Sequence, residues 1–181
     1  MKILLLSPWT NAWNVYFKKY FEGRGHQFDI VNKLILQDLP KYDTVISAWA
    51  DVFAQTLGEF PKLAKKYLCF LRSYEYYTNI DTLIKPDNFD NFIFTNQYLL
   101  DNSKLPRKVL IPNAIDLERI PFEAKTKGRN ILFLGDINFK KGVEVLIQIA
   151  YKYPEHHFFG GDNEDLLTLH EAEQYVYRVI L

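Results

Sequence analysis

The feature that most constrains this chain is a series of short apolar runs, each bounded by turn residues. Stretches with helical spacing separate the runs. Strands that are apolar throughout, rather than alternately apolar and polar, are typical of a parallel sheet that helices cover on both faces. The pattern therefore predicts an α/β fold with a doubly wound parallel sheet. Eight runs carry this prediction, at residues 2–7, 27–32, 44–48, 67–72, 91–95, 108–111, 130–134 and 156–160.

Two of the separating stretches have the three- and four-residue spacing of an amphipathic helix. The first ends before Gly23, a residue suited to helix termini, and the second ends before Pro154, which cannot continue a helix. We expect the first helix to pack on the sheet through an aromatic face, and the second through an aliphatic one. These faces comprise Trp13, Tyr16, Phe17, Tyr20 and Phe21 in the first helix, and Val143, Leu146, Ile147 and Ala150 in the second.

A charged segment at residues 116–129 (DLERIPFEAKTKGR) lacks sustained periodicity and carries a proline and a glycine. These properties indicate a linker between two domains. We place the boundary near residue 120, with the first domain at 1–120 and the second at 121–181. The second domain then has two strands and a helical segment from Glu164 to about Tyr177. Two strands are marginally stable alone, so we expect this domain either to pack against the first domain or to be the start of a longer one.

Composition excludes several classes of protein. Lys plus Arg and Asp plus Glu number 22 each, and a chain without a basic excess gains little from binding nucleic acid. The lone Cys69 and four histidines form neither a disulfide framework nor a structural zinc set. The opening run breaks at Pro8 without a cleavage site, so it predicts a strand rather than a signal peptide. We expect a cytoplasmic protein that holds no metal.

A small basic cluster is formed by Lys62, Lys65 and Lys66. It has two interpretations. The lysines could touch anionic lipid headgroups, as in enzymes that act on lipid-linked acceptors, or they could form a solvated helix face. No apolar run approaches the roughly 18 residues that span a bilayer. The expected membrane contact is therefore peripheral at most.

Several common catalytic motifs do not occur in the sequence. Neither a Walker-A loop nor G-x-G-x-x-G follows a predicted strand, which disfavours P-loop NTPases and dinucleotide-dependent dehydrogenases. The sequence also lacks G-x-S-x-G and has no cysteine beside a histidine, so nucleophilic acyl transfer has no candidate residues. The informative segments lie elsewhere in the chain.

Four segments together resemble glycosyltransferase family 4, the retaining, two-domain GT-B enzymes that use nucleotide sugars. The first is Gly25-His26 with the strand FDIV that follows, and the second is RSYEY at 72–76, preceded by SAWAD at 47–51. The third is VLIPNAID at 109–116 and the fourth is ILFLGDINFKKG at 131–142. They stand in the order and spacing of the family along most of the chain.

This resemblance implies a GT-B-like fold, in which a Rossmann-like parallel-sheet domain on the acceptor side precedes a partial second Rossmann-like domain that begins the donor site. It also implies transfer of a sugar, with retention, from a nucleotide-diphosphate sugar to a glycan or lipid-linked acceptor. The family is usually assigned a front-side attack guided by the leaving phosphate, which requires neither a metal nor a cofactor. A dedicated nucleophilic carboxylate is not required either.

The donor phosphate site is predicted at residues 135–142. A strand that ends at Gly135, a loop and a helix that begins near Lys141 direct free backbone N–H groups and a helix dipole at one point. Lys140 and Gly142 complete this segment, and the resemblance implies that Lys141 grips the donor pyrophosphate. Asp136 occupies the place of the family's arginine, a change from cation to anion that weakens the predicted binding. Two solvated lysines in the first turn of a surface helix are the alternative.

Arg72 and Glu75 follow a predicted strand, at the carboxyl edge where open α/β sheets bind ligands. The resemblance implies a catalytic role for both. Arg72 would stabilise charge on the leaving phosphate, and Glu75 would accept a hydrogen bond from a sugar hydroxyl or hold Arg72. An ordinary ion pair at a strand end, of little energetic value if exposed, is the alternative.

Two further groups of residues are candidates by position. Asn113 and Asp116 lie at the expected interdomain crossing, where they would fix a tight turn or contact the nucleotide. The loop after the first strand offers an acceptor surface, because aromatic faces suit the apolar faces of sugars; packing of its tryptophans on the sheet is the alternative. The candidate acceptor residues are Trp9, Asn11, Trp13 and Asn14.

The family has a second pair of acidic residues, spaced E-x-x-x-x-x-x-x-E, that holds the sugar and ribose of the donor. Nothing before Leu181 matches it. We therefore expect a fragment or a split gene product that is inactive or very slow alone, with a possible second chain supplying the rest of the donor domain. The alternatives are a non-catalytic acceptor-half partner subunit and a nucleotide-sugar epimerase of the same architecture, which would need an acid/base pair.

Overall fold

All eight apolar runs form β-strands, and each observed strand boundary lies within one residue of its prediction. The computed structural model describes residues 1–9, 12–113, 128–134, 141–161 and 167–168. The chain divides into two compact units, Met1–Ile115 and Asp116–Leu181. The boundary predicted near residue 120 lies outside the described residues, as does most of the predicted linker.

In the described residues of the first unit there are six strands and four α-helices. The strands pair in the order β2-β1-β3-β4-β5-β6, and every pair is parallel. This arrangement is an α/β, Rossmann-like sheet. The elements are β1 (Lys2–Leu6), α1 (Ala12–Glu22), β2 (Gln27–Val31), β3 (Thr44–Ser47), α2 (Val52–Glu59), β4 (Lys66–Leu71), α3 (Ser73–Tyr77), β5 (Asn91–Phe94), α4 (Gln97–Asn102) and β6 (Lys108–Leu110), with short 3₁₀ helices at Leu36–Lys41 and Ile80–Leu83.

The direction of winding reverses at β1. This strand pairs with β2 on one side and with β3 on the other, so the connections leaving β1 and β3 depart in different directions. Open α/β sheets bind their ligands at such a switch point, in the crevice beyond the carboxyl ends of the strands. The topology therefore places a ligand crevice beyond Leu6 and Ser47.

Two hydrophobic clusters cover the two faces of this sheet. Successive residues of β1 alternate between them, with Leu4 and Leu6 in the first cluster and Ile3 and Leu5 in the second. Burial on both faces is the reason that the central strand β1 is a continuous apolar run. Helices α2 and α4 contribute Leu57 and Leu99 to the first cluster, while α1 packs on the second.

The face of α1 that packs on the sheet differs from the predicted aromatic stripe. Phe17 and Phe21 contact the second cluster as expected, and the Phe21 ring stacks on Phe28 at 5.4 Å. Tyr20, however, is exposed, with the guanidinium of Arg24 lying 3.7 Å from its ring centroid. Positions 20 and 21 are about 100° apart around a helix, so with Phe21 on the sheet Tyr20 lies at the edge of the stripe, where its phenol is satisfied in water.

The second unit comprises β7 (Asn130–Leu134), α5 (Val143–Lys152), β8 (His157–Gly161) and β9 (Leu167–Thr168) among the residues described. Strands β7 and β8 are parallel, whereas β9 is antiparallel to β8. The helical segment predicted from residue 164 is therefore wrong at Leu167–Thr168, where pairing with the edge of β8 satisfies the backbone instead. The rest of that segment lies outside the described residues. Helix α5 buries Val143 and Ala150, as its spacing predicts.

Candidate functional site

Strands β1 and β3 end in the same local structure. Ser7 and Ser47 each donate a side-chain hydrogen bond of 2.7 Å to the carbonyl oxygen two residues later, which belongs to Trp9 and Trp49 respectively. Serine hydroxyls stabilise tight turns in this way. The repeated pattern Ser-x-Trp therefore places one tryptophan beyond the carboxyl end of each strand at the switch point.

Asn14 holds the first of these turns from helix α1. Its side chain is buried, and its Nδ2 donates to the Ser7 hydroxyl at 3.0 Å and to the Trp9 carbonyl at 2.8 Å. A buried amide presents no surface to an acceptor, so Asn14 positions Trp9 rather than forming part of the predicted acceptor surface. Asn11 and the side chain of Trp13, the other two predicted acceptor residues, lie outside the described part of the chain.

The two tryptophans contact each other edge to face. Their ring centroids lie 5.6 Å apart at an interplanar angle of 88°, a preferred geometry for aromatic pairs. Trp9 is 62% exposed, whereas Trp49 is partly buried and has the Arg72 guanidinium 4.2 Å from its ring centroid. Cation–π contact of this kind holds Arg72 beside the crevice, and Trp9 offers an accessible indole.

A cleft of about 330 Å³ opens at this position. Its accessible lining is apolar and comes from residues that follow the carboxyl ends of β1, β3 and β4, as the topology predicts. Among the candidate residues from sequence, Trp9 and Glu75 lie in its lining, while Asp51 and Tyr74 are site residues that sequence reasoning missed. The lining consists of Trp9, Trp49, Ala50, Asp51, Tyr74, Glu75 and Ile80.

Glu75 joins two of the loops that form the cleft. It is only 2% exposed. Its Oε1 accepts a hydrogen bond from the Ala50 backbone N–H at 3.2 Å, and its Oε2 accepts one from the Arg72 backbone N–H at 3.2 Å. Burial raises the pKa of Glu75, and these backbone bonds and the Arg72 charge only partly offset the rise. Glu75 therefore fixes the loop after β3 to the start of α3.

Asp51 begins helix α2. Its Oδ1 accepts a hydrogen bond from the Phe53 N–H at 2.9 Å, which is the usual contact of an N-cap carboxylate. Burial raises the pKa of Asp51. The nearby Cys69 thiol is fully buried, and its pKa is also raised by burial and by the charges of Glu75 and Asp51. A signal for Asp51 existed in the SAWAD segment, where an aspartate directly precedes a helix.

The predicted phosphate segment is described only at Lys141 and Gly142. Gly142 has a φ of 76° and is the N-cap of α5, so the Lys-Gly pair places a residue that tolerates the left-handed conformation where the helix begins. Lys141 is exposed. Gly135, Asp136 and Lys140 lie outside the described residues.

Asn113 and the basic cluster, the other candidates with described residues, do not line the cleft. Asn113 is exposed after β6, and Asp116 lies outside the described residues. Two lysines of the basic cluster form ion pairs of 2.6 Å, Lys62 with Asp90 and Lys65 with Asp43. These pairs reduce the positive charge that the cluster presents to an anionic surface.

Within the described ranges, no group of three or more histidine, cysteine, aspartate or glutamate side chains is placed to hold a metal ion. The helices in those ranges are also too short and too polar to cross a membrane. No protein-family model, curated protein or solved structure matches this chain.

Proposed function

We propose that the first unit is the acceptor-side domain of a retaining glycosyltransferase of GT-B architecture, which transfers a sugar from a nucleotide-diphosphate sugar to a glycan or lipid-linked acceptor. One observation carries the proposal: an exposed tryptophan, held by a buried serine–asparagine network, lies at the mouth of a cleft at the switch point of the sheet. Indole rings match the apolar faces of sugar rings. The four resembling segments support the same reading.

The charges around the cleft suit this reaction. Arg72 is held beside the cleft by Trp49, and although burial lowers the pKa of its guanidinium, an arginine remains charged at neutral pH. It would stabilise the negative charge that develops on the leaving diphosphate. In the second unit, the exposed Lys141 precedes the N-terminus of α5, a combination that suits an anion such as a phosphate.

Glu75 has a positioning role in this scheme. Both of its carboxylate oxygens accept backbone N–H groups, so it shapes the cleft, and the front-side mechanism implied by the resemblance needs no carboxylate nucleophile. The same observation favours a second candidate, a non-catalytic subunit that binds the acceptor while another chain supplies the donor site. Both candidates bind the acceptor, but only the glycosyltransferase turns over the nucleotide-sugar donor.

The proposal is tested by measuring both properties on the purified chain. We expect neutral oligosaccharides to change the tryptophan emission. Release of UDP or GDP from UDP-glucose or GDP-mannose should be very slow with this chain alone, because the second acidic pair is missing, but should increase when an oligosaccharide is present. Binding without release of nucleotide would support the partner subunit. Absence of saccharide binding at millimolar concentration would refute both.

Trp9→Ala is the decisive variant. Because the Trp9 side chain is largely exposed, its removal should weaken saccharide binding by tenfold or more, at about 1.4 kcal/mol per factor of ten, while the unfolding midpoint stays within the range of ordinary surface substitutions. Phe60→Ala is the matched control, since Phe60 is an exposed aromatic residue at the opposite end of α2. Equal binding by both variants would contradict the assignment of the cleft.

A further inference from the structure

Three exposed tyrosines extend away from the cleft along the carboxyl edge of the sheet. They are Tyr74 and Tyr77 on α3 and Tyr98 on α4, with 61%, 66% and 58% of their surfaces exposed. We call these three residues the tyrosine band. Exposed aromatic rings of this number in a row are uncommon on a surface with no ligand to bind, so the band calls for a functional explanation.

Two rings of the band, Tyr77 and Tyr98, contact a shared tyrosine. Tyr76 packs partly buried against the first hydrophobic cluster. Its ring contacts Tyr77 on one side, with centroids 5.4 Å apart at 75°, and Tyr98 on the other, with centroids 6.4 Å apart at 83°. Rings that are fixed before binding lose little conformational entropy when a ligand arrives, as in other preorganised binding surfaces.

The band is continuous with the cleft. Tyr74 lines the cleft together with Trp9, Tyr77 lies one turn further along α3, and Tyr98 follows the next strand, β5. The aromatic surface thus extends past the ends of β1, β3, β4 and β5. Three strand spacings correspond to roughly 15 Å, which exceeds the length of a single sugar ring and suits a short oligosaccharide.

The side-chain charges around the band favour uncharged ligands over anionic ones. Helices α3 (SYEYY) and α4 (QYLLDN) contain neither lysine nor arginine. Their acidic residues are the buried Glu75 and Asp101, which accepts a hydrogen bond from the Gln97 side chain. The guanidinium of Arg72, before α3, lies against the Trp49 ring. Anionic ligands such as phospholipid headgroups would require cations here. The leucines of α4 face the hydrophobic core, with Leu99 buried and Leu100 packed against the first cluster, so the exposed surface consists of amphipathic phenol rings rather than aliphatic side chains.

The geometry points to an extended acceptor track: the tyrosine band binds successive sugar rings of an uncharged oligosaccharide whose terminal sugar lies in the cleft. This inference rests on the proposed function and specifies its substrate class. The acceptor is a chain of several neutral sugars, and the enzyme extends that chain rather than modifying a free monosaccharide. Each phenol stacks on a ring face and exchanges hydrogen bonds with sugar hydroxyls.

The test is a calorimetric titration of the full chain with cello-oligosaccharides of one to six glucose units. These are uncharged sugars with flat apolar ring faces. We expect affinity to rise with length until the ligand spans the band. Tyr98→Ala and Tyr77→Ala should each weaken binding of the longest oligosaccharide by roughly three- to tenfold, with little effect on the shortest binding member. Tyr98→Phe should retain most of the affinity, because it keeps the ring.

The matched control is Tyr20→Ala. Tyr20 is exposed to a similar extent, 54%, but lies near the end of α1 that leads to the start of β2, at the opposite edge of the sheet. Short sugars that bind through Trp9 without any gain from length, or a Tyr98→Ala variant that binds as the parent does, would overturn the track and leave the proposed function intact. If no saccharide binds, both are overturned. Self-association that Tyr98→Ala abolishes would identify a protein interface and also overturn the track.

Discussion

Replacing Glu75 by alanine tests the inference that this residue holds the cleft together. The side chain is almost fully buried, and its two oxygens are the acceptors for the backbone N–H groups of Ala50 and Arg72. Alanine cannot accept either bond. Two buried donors would therefore lose their partners at once.

The magnitude follows from those two groups. A buried N–H without a partner costs roughly 1–3 kcal/mol, so two such groups account for roughly 2–6 kcal/mol, and we expect Glu75→Ala to lower the free energy of unfolding by about 4 kcal/mol. Glu75→Gln keeps one carbonyl oxygen and should lose about half as much. A loss of 4 kcal/mol is a large part of the roughly 5–15 kcal/mol that a domain possesses.

Urea unfolding followed by tryptophan fluorescence is the appropriate assay. All three tryptophans (Trp9, Trp13 and Trp49) lie in the first unit, so their emission reports on that unit alone. Glu59→Ala, at an exposed glutamate of α2, is the control and should change stability by less than about 0.5 kcal/mol. A loss below 1 kcal/mol for Glu75→Ala, with an unchanged denaturant dependence, would refute the reasoning.

The raised pKa of Glu75 adds a pH dependence with a definite sign. The folded state holds the proton more tightly than the unfolded state, whose pKa lies near 4.5. The contribution of Glu75 to stability is therefore greatest below pH 4.5 and falls as pH rises through the folded pKa. Glu75→Gln has no proton to lose, so its destabilisation relative to the parent should shrink between pH 4 and pH 7. A difference that is constant or grows with pH would contradict this.

Three further perturbations test other parts of the first unit. Asn14→Ala removes a buried donor from the turn after β1 and should lower the free energy of unfolding by roughly 1–3 kcal/mol in urea titrations; a loss within 0.5 kcal/mol would count against the network. Gly58→Ala would place a Cβ 2.6 Å from the Lys85 carbonyl oxygen, and we expect a net loss of roughly 1–3 kcal/mol despite the better helix propensity of alanine; a stabilised variant would show that the Lys85 backbone yields. Cys69, buried and with a raised thiol pKa, should react with a thiol reagent only as fast as the unit opens, and rapid labelling of the folded protein would contradict its burial.

The strands were predictable from sequence because both faces of the sheet are buried. Leu4 and Leu5 point to opposite clusters, so the interior of a strand such as β1 is a continuous apolar run that stands out against its polar neighbours. The strand at Leu167–Thr168 was not predictable for a different reason. Two residues are too few to show a periodicity of their own, and their extended conformation depends on pairing with the edge of β8.

The candidate site was only partly predictable. Trp9 and Glu75 follow strand ends, and position along the chain was enough to nominate them, but their meeting in one cleft depends on the sheet order β2-β1-β3-β4. Asp51 and Tyr74 belong to the cleft for that spatial reason alone. A polar residue on a helix, such as Asn14, gives no sign from sequence that its amide is buried beneath a turn. The repeated Ser-x-Trp pattern is the sequence signal that would have paired Trp9 with Trp49.

Each Ser-x-Trp turn is closed by a bond within its own three residues, between the serine hydroxyl and the tryptophan carbonyl. At position 9 the scaffold therefore uses the main chain, while the exposed indole remains exchangeable. A library that varies residues 8 and 9 and retains Ser7 and Asn14 should alter ligand preference while strand registry survives. The exposed residues of this turn can therefore change, by selection or by engineering, without a change in the sheet beneath.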